Sequence, residues 1–277
     1  MSAREETAAA KTAPRRRLAP PRSLPVPRLE HLAAALSPIA VLLLWQALVS
    51  WGILDHRFFP LPTQVLRALW SLIRSGRLWH ETSITLYRVG WGFAIGAAGG
   101  IACGLIMGVS RLVRAFLDPI ISALYVIPKI AVLPLVMLIV GIGDASKVAI
   151  VAIGVFFVVV INTTAAVLAI DPIYIEAGRN FGANRAQMFR HVILPGALPS
   201  IFTGLRIAAG IALITVIAAE FVEANRGLGY LIWQSWQTLV VENMYAGLVV
   251  IGALGVVFAA LIALAARLAM PWQRRGN

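Results

Sequence analysis

Long apolar runs separated by short polar stretches dominate the chain. Runs over about 32–50, 85–109, 116–141, 147–170, 197–221 and 244–268 each approach or exceed the roughly 20 apolar residues that carry a helix across a bilayer. They are continuous rather than alternating, so they predict helices and not the strands of a membrane barrel. The pattern predicts an all-α polytopic membrane domain of six transmembrane helices over 31–270. A basic tail rich in Ala and Pro, expected to be disordered, precedes it at 1–30, and a short tail follows at 271–277.

Within this pattern, residues 52–83 are mixed. Pro60-Leu61-Pro62-Thr63 predicts a helix entry with Thr63 as N-cap. Leu66, Leu69 and Ile73 then recur at helical spacing while Arg67 and Arg74 point elsewhere, which predicts an amphipathic helix lying at an interface. The second run carries Gly92, Gly96, Gly100, Gly104 and Gly108, a glycine at every fourth position. Such a stripe leaves one helical face smooth and predicts a close helix–helix seam. Pro119, Pro128-Lys129 and Pro134 interrupt the third run.

Composition narrows the class. The chain of 277 residues is 60% hydrophobic and 13% charged, against roughly 25% charged in soluble domains. Its net charge of +12 raises nucleic acid as a partner. The basic residues, however, flank apolar runs as the positive-inside rule requires, and that pattern excludes a nucleic-acid surface. Most lie in the N-terminal tail, at Arg111 and Arg114, at Arg179, Arg185 and Arg190, and at Arg267, Arg274 and Arg275. All these segments fall on one side, so both termini are expected in the cytoplasm, with the lipid bilayer around the spans. The single cysteine, Cys103, lies within an apolar run, and the four histidines are scattered, so no metal site is expected.

The stretch 171–195 is a polar island between two apolar runs. Asp171-Pro172 predicts a helix start, Gly182 a corner and Asn184 the cap of a second helix. Pro195 then opens the fifth run. A stiff polar element held between two spans, on a chain otherwise suited to lipid, predicts a partner in the water phase.

This stretch resembles the EAA loop of binding-protein-dependent ABC importer permeases: E-A-A, three residues, G, nine residues, I, any residue, L-P. Here it reads Glu176-Ala177-Gly178, Gly182, then Val192-Ile193-Leu194-Pro195, with the spacing kept and Gly178 and Val192 as the two departures. The segments Phe59–Pro62, Pro128–Pro134, Gly141–Lys147, Ala219–Phe221 and Gly227–Tyr230 are similar to the nitrate, sulfonate and taurine branch of that family. The resemblance covers roughly residues 32–270. It implies a permease subunit and not an enzyme, acting for a small anionic or polar solute. Its partners would be a second permease copy (a homodimer), two cytoplasmic ABC ATPase subunits that bind the ATP, and an extracytoplasmic substrate-binding protein. No cofactor is implied for the permease itself, and the chain has no Gly-x-x-x-x-Gly-Lys-Ser/Thr phosphate loop. Carried over by position, Glu176, Ala177, Gly178, Gly182, Leu194 and Pro195 would form the ATPase-docking element.

Charged groups inside apolar runs are costly and normally face protein or water. Lys129 and Arg206 are therefore candidates for an anion path, the alternatives being snorkelling or structural pairing for Lys129 and a structural ion pair for Arg206. Glu220 is a third candidate, its alternative being a hydrogen bond to the Gly227–Tyr230 turn. Asn162 reads as an interhelical hydrogen-bonding residue. Two rival functions remain, a stand-alone secondary carrier or channel and an intramembrane enzyme. The spans show no acidic pair for a carrier and no His/Asp/Glu or Ser/Lys constellation for an enzyme.

Overall fold

The computed structural model describes residues 28–272, and side chains from residue 36. The basic tail up to residue 27 and the last five residues of the C-terminal tail lie outside the described residues. Every regular element among the described residues is a helix. It begins with α1 (Arg28–Ser50), the short α2 (Pro62–Arg74) and the long α3 (Arg77–Val109). Next come α4 (Arg111–Val126), α5 (Lys129–Val140) and α6 (Asp144–Leu168). The polar stretch holds α7 (Pro172–Asn180) and α8 (Arg185–Met188), which runs through a π-helical turn (Phe189–Ile193) into α9 (Leu194–Val222). The chain ends with α10 (Leu228–Gln237) and α11 (Val241–Ala269).

Among the described residues, four helical stretches are long and apolar enough to cross a membrane: α3, α6, α8 through α9, and α11. The third expected span is not one straight helix. It is the pair α4 and α5, bent by 101°, which raises the count to five if taken as one crossing. The apolar stretch Leu36–Ser50 of α1 is shorter than a span, so the expected six is not reached on these criteria.

The bend follows from Pro128. A proline disfavours the helical conformation at the residue before it, and Ile127 is extended at φ −64°, ψ 124°. The entry to α2 also departs from expectation. Its first helical residue is Pro62, which leaves Leu61 as the N-cap and puts Thr63 inside the first turn. Proline is pre-set for that first position, and the Leu61 N–H is met by Gln64 Oε1 at 2.8 Å.

The hub of the bundle is α6. In its most apolar window 61% of residues are buried, against 6% in α11. The glycine stripe of α3 lies along it. A β-carbon on Gly92, Gly100, Gly104 or Gly108 would stand 2.5–2.8 Å from the β-carbons of Val151, Val159, Thr163 and Val167 in turn, and one on Gly96 would strike the Ala152 carbonyl. Both series ascend together, so α3 and α6 run parallel. On the other side α9 is antiparallel to α6, with Gly154 near Thr215 and Gly204 against Asn162. The Asn162 amide does not bond across helices. Gly204 lets α9 approach so closely that the amide turns back to Val158 O, at 2.8 Å on its own helix.

Candidate functional site

The polar stretch forms two helices meeting at a glycine corner. Asp171 accepts from the Ile173 N–H at 3.0 Å and caps α7. Gly182 adopts φ +76°, a conformation that L side chains disfavour. Asn184 and Gln187 then cap α8 reciprocally, each side-chain oxygen accepting the other's N–H at 2.9 Å. Glu176, Ala177 and Gly182 are exposed, whereas Gly178, Leu194 and Pro195 are half-buried. Apolar side chains stand out from this element: Phe181 is 90% exposed, and Ile173 and Tyr174 are each 63% exposed. A groove of about 630 Å³ lies beside it, between Tyr174 and Phe181 of the corner and Pro195, Pro199 and Trp272 at the bundle's base.

Pro195 does not break the chain of helical turns. Arg185–Val222 is one stretch of 38 residues. Proline lacks the N–H for the bond to residue 191 and its ring crowds that carbonyl. The turn before it widens, so the Leu194 N–H reaches Phe189 O, five residues back. At about 1.5 Å per residue this rod is about 57 Å long. It runs from the polar corner to Glu220 near the other end of the bundle.

Glu220 stands in a buried ionic cluster at that end. Its carboxylate accepts from Arg88 Nη1 at 2.6 Å, from Thr85 Oγ1 at 2.9 Å and from the Gly229 N–H at 2.7 Å. Arg88 also donates from Nε to Asp144 Oδ1 at 2.9 Å and from Nη1 to Arg226 O at 3.0 Å. Lys147 Nζ bonds Glu223 Oε2 at 2.9 Å, and Glu81 accepts the Gly227 N–H at 2.5 Å. Side chains of α3, α6 and α9 thus hold the turn that starts α10.

Lys129 lies elsewhere, about halfway along α3 and α6. Pro128 frees the last carbonyls of α4, and the ammonium takes them up: Leu124 O at 2.9 Å, Tyr125 O and Ile127 O at 2.8 Å. It also sits 4.7 Å from the Phe157 ring centroid, and it lines a cavity of about 700 Å³. Arg206 is separate from both groups; it is exposed on α9, in a small cavity with Phe202, Ile262 and Met270. The three charged candidates therefore do not converge on one site.

Residues 100–275 match the model of the family described as the binding-protein-dependent transport system inner membrane component. The chain belongs to this family. The permease is 33% identical to the taurine transport system permease protein TauC of Escherichia coli, over 89% of its own length and 92% of that protein. It is 37% identical to an E. coli protein named as an aliphatic sulfonates transport permease, SsuC, over 79% of this chain and 83% of the relative. It is 29% identical to the nitrate import permease protein NrtB of Synechocystis, over 95% and 97%. In fold it is similar to a chain of the inward-facing MetNI methionine ABC transporter, with a TM-score of 0.52, covering 75% of this chain and 97% of that one at 23% identity. The permease is thus a multi-pass membrane subunit of an ABC importer, a transport component rather than an enzyme. Such subunits work with an ATPase and a binding protein.

Sequence reasoning reached one bond of the ionic cluster, that of Glu220 to the Gly227–Tyr230 turn, met at the Gly229 N–H, and missed the ion pairs. Their signal was present in α3, where Glu81, Thr85 and Arg88 continue toward the N-terminus the face that carries Gly92 to Gly108. A polar extension of a packing stripe, with an arginine a few residues inside an apolar run, requires partners on the helix packed against it.

Proposed function

We propose that two copies of the permease line a path for a small anion of the sulfonate, taurine or nitrate class, driven by two ATPase subunits on the cytoplasmic side. Both termini and the 171–195 element face the cytoplasm, and a binding protein delivers solute at the end that carries the ionic cluster. Glu176, Ala177, Gly178, Gly182, Leu194 and Pro195 form the surface that receives the ATPase. The observation that carries this reading is the exposure of Phe181, Tyr174 and Ile173 on a capped, glycine-cornered element. A contiguous apolar patch among polar residues marks a protein contact. The clustering of arginines on that side supports the orientation, and the names of the relatives support the solute class.

The test is co-purification of the ATPase with the permease, combined with solute uptake in proteoliposomes. Glu176→Arg is expected to cut ATPase capture while leaving insertion unchanged. Uptake by the permease alone, without nucleotide or ATPase, would overturn the assignment in favour of a stand-alone carrier.

A further inference from the structure

We infer that the cavity around Lys129 is a binding site for an anion that carries an apolar tail, an alkane- or arylsulfonate rather than a bare inorganic anion. This rests on the proposed import of a sulfonate-class solute and specifies which member of that class the permease itself prefers. The cavity of about 700 Å³ is walled by apolar side chains, among them Ile95, Leu124, Val132 and Phe156, and Lys129 is its one charged residue. No carboxylate pairs with Lys129 among the described residues. The three carbonyls hold the ammonium in place and satisfy its donors, but they leave its net charge unbalanced. In a low-dielectric wall an unbalanced cation acts over several ångströms and favours an anion nearby. Inorganic anions would gain nothing from the remaining wall, whereas a hydrocarbon tail would bury its surface there.

The cavity does not end at Lys129. A second one, of about 600 Å³, shares Ile95, Ala152 and Ile153 with it and reaches Tyr87 and Ala145. A groove thus runs along α3 and α6 from the level of Tyr87 and Ala145 to mid-bundle, long enough for a headgroup and its tail. Gly99 borders it with room to spare: a β-carbon there would meet only the Phe156 ring, at 3.5 Å.

The experiment uses the permease–ATPase complex, without binding protein, in phosphatidylcholine nanodiscs. Binding of radiolabelled hexane-1-sulfonate is measured by equilibrium dialysis against empty nanodiscs. Unlabelled hexanesulfonate is expected to displace it at least about tenfold better than methanesulfonate, nitrate or hexan-1-ol. Lys129→Gln should weaken binding by about tenfold, with Lys129→Arg keeping most of it. Gly99→Leu should weaken hexanesulfonate binding and leave methanesulfonate competition unchanged; it decides alone if Lys129→Gln does not insert. Equal competition by methanesulfonate, binding unchanged in a correctly folded Lys129→Gln, or native mass spectra showing a phospholipid that hexanesulfonate cannot displace would each overturn the inference. ATP-driven uptake by the full complex with its binding protein separates the two readings. Uptake of sulfonate or nitrate without tail-dependent binding removes only the groove, whereas no ATP-driven uptake of either removes the import assignment.

Discussion

Arg88 and Glu220, 132 positions apart in the chain, meet at 2.6 Å with 2% and 0% of their side chains exposed. A pair so far from water is held by its neighbours as much as by its own attraction. Thr85 and the Gly229 N–H satisfy the carboxylate, while Asp144 and the Arg226 carbonyl satisfy the guanidinium. Removing Arg88 leaves the Glu220 charge buried and unbalanced, whereas removing Glu220 leaves Arg88 its other partner, Asp144. Arg88→Met alone is expected to destabilise the permease by about 3–5 kcal/mol, and Glu220→Leu alone by less. The double variant Arg88→Met with Glu220→Leu should recover much of that loss. Thermal unfolding of the four proteins in detergent forms the double-mutant cycle that checks this, and additive losses would contradict the coupling.

Along the same face of α3 the polar residues give way to glycine, and the contact becomes backbone against side chain. A β-carbon on Gly100 would stand 2.8 Å from Val159 Cβ and 2.9 Å from Phe156 O, where backbone must shift to admit it. Gly100→Val should therefore lower stability by about 1–3 kcal/mol or prevent assembly of the bundle. Gly90, on the same helix, has open space where its β-carbon would be. Gly90→Ala is expected to be neutral or to stabilise by about 0.5–1 kcal/mol. Comparing the thermal midpoints of the two variants isolates the seam from glycine's general effect on helices.

These contacts show what was legible from the chain alone. The stripe could be read because close helix approach needs the absence of a β-carbon at regular spacing, and spacing is a local property. The 171–195 element could be read for a similar reason, a polar island with capping residues at both helix starts. The α4–α5 bend was half legible: Pro128 marks a break, but the 101° angle depends on where α5 finds a surface to pack against. The turn contact of Glu220 was legible, nine positions from Gly229, but the ion pairs lay out of reach because they join residues such as Lys147 and Glu223, 76 positions apart. Lys147 and Asp144 stand at the edge of an apolar run, where nothing local names their partners.

The departure at Gly178 from the alanine of the motif has a local counterpart. A β-carbon there would approach Met188 Cε to 2.8 Å and Sδ to 3.1 Å, with Val192 Cγ2 at 3.5 Å behind. Methionine can rotate away, and alanine would gain up to about 1 kcal/mol in helix propensity. Gly178→Ala should thus stay within about 1 kcal/mol of the parent protein and keep its ATPase capture. Gly178→Leu has no such escape past Val192 and should reduce capture. Pull-down of the ATPase with each variant, beside thermal unfolding, distinguishes a lost docking surface from a lost fold.

Pro195 makes the most direct test of the rod. The π turn before it offsets the face of α8 from that of α9, since an extra residue in a turn rotates what precedes it by about 100°. Alanine would restore the missing N–H and permit a regular helix from Arg185 to Val222. Pro195→Ala is then expected to raise or preserve thermal stability while turning α7 and α8 out of register with the bundle. The measurable result is a permease that inserts normally yet captures less ATPase and shows weaker ATP-driven uptake. Loss of stability together with undiminished uptake would mean that the wide turn serves the fold and not the transmission of movement from the corner to Glu220.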